Sequence, residues 1–155
     1  MIEKGLYRIK NDYYTDFPHE KHIHTKGGRP FYYAVKDSHG LYWLIPLSTQ
    51  IEKYKQKIKA VEAKRGPGKC IAYHIGIIAG QERVFRICNM IPISDKYIDG
   101  EFVIDGLHYV AKEKNLVKDI RVKSRNFIKL LEQGNMYSQV DALNIRKQLI
   151  VDIQD

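Results

Sequence analysis

Residues 31–37 read FYYAVKD and residues 41–47 read LYWLIPL, with only SHG between them. Aromatic and β-branched runs around a short glycine-bearing turn are the signature of a β-hairpin. Other stretches supply neighbours for it. GLYRI at 5–9 alternates and reads as a first strand, and NDYYTD at 11–16 as one short helical turn. CIAYHIGIIAG and ERVFRICNMIPI read as two more strands that turn at Gly80 and Gln81. Pro92 marks an edge position or a strand's end, because proline cannot donate to a ladder.

Two stretches change to a helical period. Ile51, Tyr54, Ile58 and Val61 recur at steps of three, four and three, which predicts a helix over about 50–64, ended by RGPGK. After the turn-like DKYIDG and a brief EFVI strand, Val110, Val117, Ile120, Phe127 and Leu131 fall close to one helical stripe between about 107 and 133. Gly134 is its stop. Ser138 with Asp141 resembles a capping box opening a last helix through Ile150. The sum is an α+β fold: an antiparallel sheet with one inserted helix and a helical C-terminal part. A chain of 155 residues is expected to make one domain, 1–155.

No run approaches the roughly 18 apolar residues of a membrane span. Glu3, Lys4 and Arg8 interrupt the start of the chain, which leaves no signal-peptide core. A cytoplasmic protein with no membrane partner is expected. Cys70 and Cys88 sit in strand-like runs and read as buried small hydrophobes rather than as a disulfide framework or a zinc motif. Charge says more. Lysine and arginine outnumber acids 26 to 18, a net charge of +8, and that surplus suits a polyanionic partner.

The positive charge clusters. The hairpin's second strand leads into Ser48 and Thr49, and between Lys53 and Lys69 seven cations meet one acid, Glu62. Thr49 with Glu52 fits a capping box, which explains one hydroxyl. Two hydroxyls at a helix start, where unpaired N–H groups and the positive dipole end are exposed, also make a phosphate cradle. Lys53 and Lys57 share one stripe, with Lys64 and Lys69 further on. Lys53 stands in the first turn, where a cation is unfavourable against the dipole. Ahead of the hairpin, His22, His24, Thr25, Lys26 and Arg29 lie within eight positions. Arginine offers a fork for phosphate and histidine moves protons near neutral pH.

Metal and nucleotide motifs fail here. A HExxH zinc site from His19 and Glu20 would need histidine where Ile23 stands. A phosphate-binding loop ending in GPGK would need glycine at Ala63 and a hydroxyl residue at Cys70. Of the other histidines, His39 suits a turn, His74 a hydrogen-bonded core position, and His108 a helix start. On the long helix Lys114, Lys118, Arg121, Arg125 and Lys129 form a stripe of one sign with few acids beside it, which suits nucleic acid. Tyrosines such as Tyr13, Tyr14, Tyr32, Tyr33 and Tyr42 are candidates for stacking on unpaired bases.

The segment RPFYYAVKDSHGLYWLIPLST resembles the hairpin of the ToxN/AbiQ/CptN-like toxins of type III toxin–antitoxin systems. Arg29 stands at the family's basic position, then come the turn at Gly40 and the run Pro46, Leu47, Ser48, Thr49. The likeness continues in order through NMIPI and LLEQG. It implies a compact antiparallel sheet similar to the Kid/MazF (SH3-like) toxins. It also implies a metal-independent endoribonuclease without a cofactor, held inactive by a small pseudoknot RNA that the toxin itself processes. Toxin and RNA would alternate in a closed assembly, and phage defence is a role associated with such systems.

Carried over by position, Ser48, Thr49 and Arg29 match the family's hydroxyl pair and basic residue. The lysine that some relatives place just after the pair is replaced by Ile51, so Lys53 is the nearest substitute. Lys26 is a further candidate for charge stabilisation, and His22, His24 and Tyr7 are candidates for the general acid or base. In that reading the ribose 2′-hydroxyl displaces the 5′-oxygen and leaves a 2′,3′-cyclic phosphate. A non-catalytic basic RNA-binding module is the competing class. It uses the same basic faces without needing the hydroxyl pair.

Overall fold

The computed structural model describes residues 1–17, 29–136, 138 and 140–154. In chain order the elements are β1 (Leu6–Ile9), α1 (Asn11–Asp16), β2 (Phe31–Lys36), β3 (Tyr42–Ser48), α2 (Ile51–Arg65), β4 (His74–Ile78) and β5 (Gln81–Phe85). After a 3₁₀ turn at Ile87–Asn89 come β6 (Ile91–Ile93), β7 (Ile98–Glu101), β8 (Val103–Ile104), β9 (Leu107–His108), α3 (Lys114–Glu132) and α4 (Ala142–Gln154). The main sheet is antiparallel, in the order β4-β5-β3-β2-β1-β7, and β6 adds to β3 beside β5. The fold is therefore α+β, with α2 inserted between β3 and β4 and two helices at the C-terminal end.

FYYAV and WLI read as continuous apolar runs because both faces of the sheet are covered. Alternate residues enter two different cores. Tyr32, Trp43, Ile45 and Leu47 join α3 residues Leu116, Ile120, Phe127 and Leu131 on one face. Phe31, Tyr33 and Leu44 join Tyr13 and Phe17 near α1, with Ile145 and Leu149 of α4, on the other. The helical C-terminal part is thus divided across the sheet.

The hairpin turn is locked by one side chain. Asp37 Oδ1 accepts from the N–H groups of His39 (2.9 Å) and Leu41 (3.1 Å), and Oδ2 accepts from Trp43 Nε1 (2.9 Å). Arg146 of α4 lies 3.9 Å from Asp37 and donates to Glu132 of α3 at 3.1 Å. One carboxylate therefore fixes the turn, and through Arg146 it reaches both C-terminal helices.

Several boundaries differ from the sequence expectation, each for a local reason. The stretch ERVFRICNMIPI is two strands, not one. Pro46 of β3 accepts from Arg86 N–H at 3.1 Å but has no N–H to return, so the ladder breaks and a 3₁₀ turn intervenes. Asp105 and Gly106 both have positive φ, 52° and 80°, and join Ile104 to Leu107 as a two-residue hairpin turn. That turn holds residues 107–108 in strand, so the long helix begins at Lys114 rather than near Leu107. Glu113 starts it by accepting from the N–H groups of Asn115 (2.9 Å) and Leu116 (2.7 Å). His108 consequently lies on β9, with Nε2 3.0 Å from the Leu6 carbonyl and Nδ1 against Glu101, not at a helix start. Gly134 does end α3, at φ 73°.

The last helix opens without the Ser138 capping box. Ser138 Oγ accepts from Val140 N–H and donates to the Cys88 carbonyl (3.1 Å), and Asp141 stands at the helix start with Oδ1 towards Asn144 N–H.

Replacing Asp37 by alanine strands a buried indole N–H and two turn amides. The expected loss is about 2–4 kcal/mol of stability, measured as the shift in a chemical denaturation midpoint, with Asp37→Asn losing less.

Candidate functional site

The register of the hairpin builds the site. Phe31 pairs with Pro46, so Arg29, two residues earlier, and Ser48, two residues later, arrive together at the open end. β5 then closes the other edge of β3, pairing Phe85 with Leu47 and Val84 with Ser48. The result is a pocket of about 460 Å³, lined on its polar side by Arg29, Ser48, Thr49, Gln81 and Arg83. Leu6, Pro30, Leu47, Ile78, Phe102 and Ile104 make up most of the rest of the wall.

Ser48 is buried at 7% exposure, and its Oγ accepts from Gln50 N–H at 3.1 Å. That bond ties the strand exit to the start of α2 and leaves the hydroxyl hydrogen to donate. Thr49 and Arg29 are exposed beside it. The predicted capping box is absent. Gln50 is the N-cap, with no side-chain bond, and Glu52 instead faces Lys55 at 3.8 Å.

Lys53 does not line this pocket. Its Nζ stands 5.5 Å from the centre of the buried Tyr54 ring, with Lys57 Nζ at 5.4 Å and the Arg86 guanidinium at 5.7 Å. Lys57 also lies 5.7 Å from the Tyr73 ring. Cation–ring attraction of about 0.5–1 kcal/mol is comparable with the dipole penalty on a first-turn lysine, so packing alone accounts for Lys53's position. Lys64 lines a separate cleft with Cys70 and Met136, and Lys69 is exposed beyond the end of α2. His22, His24, Thr25 and Lys26 lie outside the described residues. Tyr7 is buried among the α1-side core, with its hydroxyl accepting from Ile2 N–H at 2.5 Å, while its neighbour Leu6 lines the pocket. Adjacent strand residues face opposite ways, so Tyr7 is removed from the proton-donor candidates.

Of the stripe on α3, Lys114, Lys118, Arg125 and Lys129 are exposed. Arg121 is instead tied to Glu3, with Nε 3.2 Å and Nη2 3.1 Å from Oε1. The tyrosines proposed for stacking are mostly core. Tyr13, Tyr32 and Tyr33 are buried, because the sheet has no open face for them. Tyr14 is half-buried, and burial pushes its hydroxyl up to about 12.

Sequence reading missed Gln81, Arg83, Phe102 and Ile104. The signal that would have found them is the pairing of β5 onto β3, which no local pattern announces. It also missed Lys123, whose Nζ lies 2.9 Å from His74 Nδ1. Burial and the Lys123 charge push His74 down to about 4, so its ring is neutral and accepts from the ammonium.

Neither the family models nor the curated proteins yield a match to this chain. Among solved structures, the chain resembles one described in the words "A processed non-coding RNA regulates a bacterial antiviral system", with a TM-score of 0.64 and 15% identity. The likeness covers 92% of this chain and 95% of that one, so the two share a fold across nearly their whole length. Among the described residues no helix is long and apolar enough to cross a membrane.

His74 should titrate near pH 4 in a proton NMR titration. Its folded value lies below the unfolded 6.5, so its burial favours folding above that range, and stability should fall as pH drops from about 6.5 to 4.

Proposed function

We propose that the chain, acting as one domain, is a metal-independent endoribonuclease, the toxin of a type III toxin–antitoxin system. One observation carries the reading: the hairpin register brings Arg29, Ser48 and Thr49 to one pocket beside the start of α2. The shared fold with a protein whose description joins a processed non-coding RNA to an antiviral system supports the same reading.

The chemistry follows from what RNA already carries. Its 2′-hydroxyl is the nucleophile, so the protein has to align the strand, neutralise developing charge and move protons. Ser48, Thr49 and the first-turn N–H groups of α2 hold the scissile phosphate. Arg29, with Lys26 from the preceding segment, stabilises charge on the phosphorane oxygens as the 2′-oxygen bonds to phosphorus and the 5′-oxygen leaves. Of His22 and His24 in that segment, one takes the 2′-hydroxyl proton as general base and the other protonates the leaving 5′-oxygen as general acid. The products are a 2′,3′-cyclic phosphate and a 5′-hydroxyl.

Lys53 and Lys57, over Tyr54, take a flanking phosphate rather than the reacting one. The exposed Lys114, Lys118, Arg125 and Lys129 of α3 extend the track, with Arg121 contributing less because Glu3 already neutralises it. A structured pseudoknot RNA that fills these surfaces inhibits the enzyme and is itself cut into units, giving a closed toxin–RNA assembly in the bacterial cytoplasm.

Ser48→Ala with Thr49→Ala should lower cleavage of single-stranded RNA by about 10²–10³ while circular dichroism stays unchanged. Products should carry cyclic phosphate ends, and a chelator should not slow the reaction. Full activity in the double variant removes the hydroxyls from the mechanism. RNA binding without strand scission by the unaltered protein would replace the enzyme with a binding module.

A further inference from the structure

A half-buried cation in the middle of α3 has a neutral partner. Lys123 reaches β4, where its Nζ lies 2.9 Å from His74 Nδ1. That bond uses one of the three ammonium donors. It does not neutralise the charge, because burial and Lys123 itself hold the His74 ring down at about 4 and so uncharged near neutral pH. Burial also pulls the Lys123 ammonium below its usual range. Among the described residues no carboxylate reaches salt-bridge distance of Lys123, and Asp119 and Glu62 favour its charge only from further off. An ammonium taken partly out of water beside a neutral ring is costly until an anion meets it.

The pair stands in a cleft of about 380 Å³ between α2, β4 and α3. Lys55 and Lys59, one helical turn apart on α2, line the same cleft. Lys55 lies 3.8 Å from Glu52, whose side chain is 85% exposed, and such a pair yields readily to a competing anion. The acid in the cleft wall, Glu62, accepts from Gly68 N–H at 3.1 Å. Three lysines therefore line the cleft with one glutamate that is already engaged. A phosphate presents oxygens in several directions, so one group can meet lysines from two helices at once.

We propose that this cleft binds a phosphate group, held by Lys123 of α3 and by Lys59 and Lys55 of α2, with His74 fixing the Lys123 ammonium in place. The cleft shares no lining residue with the Ser48 pocket, and the proposal does not rest on the cleavage reading. The phosphate is either free in solution or part of an RNA backbone.

The test follows the His74 ring signals of the full-length protein by proton NMR in phosphate-free buffer, with the signals identified by their loss in His74→Gln. Inorganic phosphate should shift them saturably and raise their titration midpoint above about 4, because a bound anion offsets the Lys123 charge that lowers it. Acetate at equal ionic strength should not. Lys123→Met should abolish the saturable response. Lys59→Ala, an exposed change that leaves the His74–Lys123 bond in place, should weaken it, and keeps the test decisive if Lys123→Met fails to fold. A 2′-O-methyl RNA oligomer, which its own ribose cannot cut, separates the two sources. A response to it, with a salt dependence of binding whose slope Lys59→Ala lowers by about one, assigns the site to a backbone phosphate. A response to inorganic phosphate alone assigns it to a free phosphate. No saturable shift with either probe, an equal shift with acetate, or a response that both lysine variants leave unchanged overturns the proposal, and each leaves the endoribonuclease reading untouched.

Discussion

The register of one hairpin carries the rest of this molecule. β2 and β3 present alternate residues to two cores, so a slip of one position would exchange Tyr32 and Ile45 for Tyr33 and Leu44 on every face at once. Asp37 prevents that slip. Its carboxylate holds two turn amides and the Trp43 indole at one end, and the same register delivers Arg29 and Ser48 together at the other. The candidate pocket is thus the far consequence of a turn contact across the length of the two strands. Stability and site geometry are coupled through the ladder rather than through direct contact.

The surroundings of that pocket have a division of labour. The strand exit and the start of α2 supply hydroxyls and amide hydrogens. β5 supplies Gln81 and Arg83, and the segment around β8 supplies Phe102 and Ile104 to the apolar wall. The lysines of α2 stand apart, gathered with Arg86 around Tyr54. Positive charge is therefore spread over neighbouring surfaces instead of being concentrated at one point, which is the arrangement an extended polyanion needs. The α3 stripe adds to it, except at Arg121, where Glu3 closes the charge locally.

Much of the fold was legible before any coordinates. The β2–β3 hairpin follows from its aromatic and β-branched runs around a glycine turn, α2 and most of α3 follow from apolar spacing, α1 stands where NDYYTD reads as a helical turn, and Gly134 ends α3. The errors have specific causes. Asp105-Gly106 is a two-residue turn signal, but the helical spacing downstream overshadowed it and drew the helix start back to Leu107. The interruption at Pro46 acts on the partner strand, where its effect cannot be read from the partner's own residues. The tyrosines are stacking candidates by residue type alone, which carries no information about which face of the sheet is covered. Helices on both faces bury them instead.

What the sequence by itself determined is local: which segments are extended or helical, where hydroxyls and cations crowd together, and that Arg29 and Ser48 belong to the two ends of one hairpin. Tertiary structure alone decided which of those groups share a pocket. Lys53 is four residues from Thr49 yet packs on Tyr54, while Arg83 and Phe102, far along the chain, stand at the site. The physical reason is that spacing along a chain encodes the direction of a side chain within its own element. The docking of one element on another is set by the summed burial of both faces of the sheet, and no single segment contains that information.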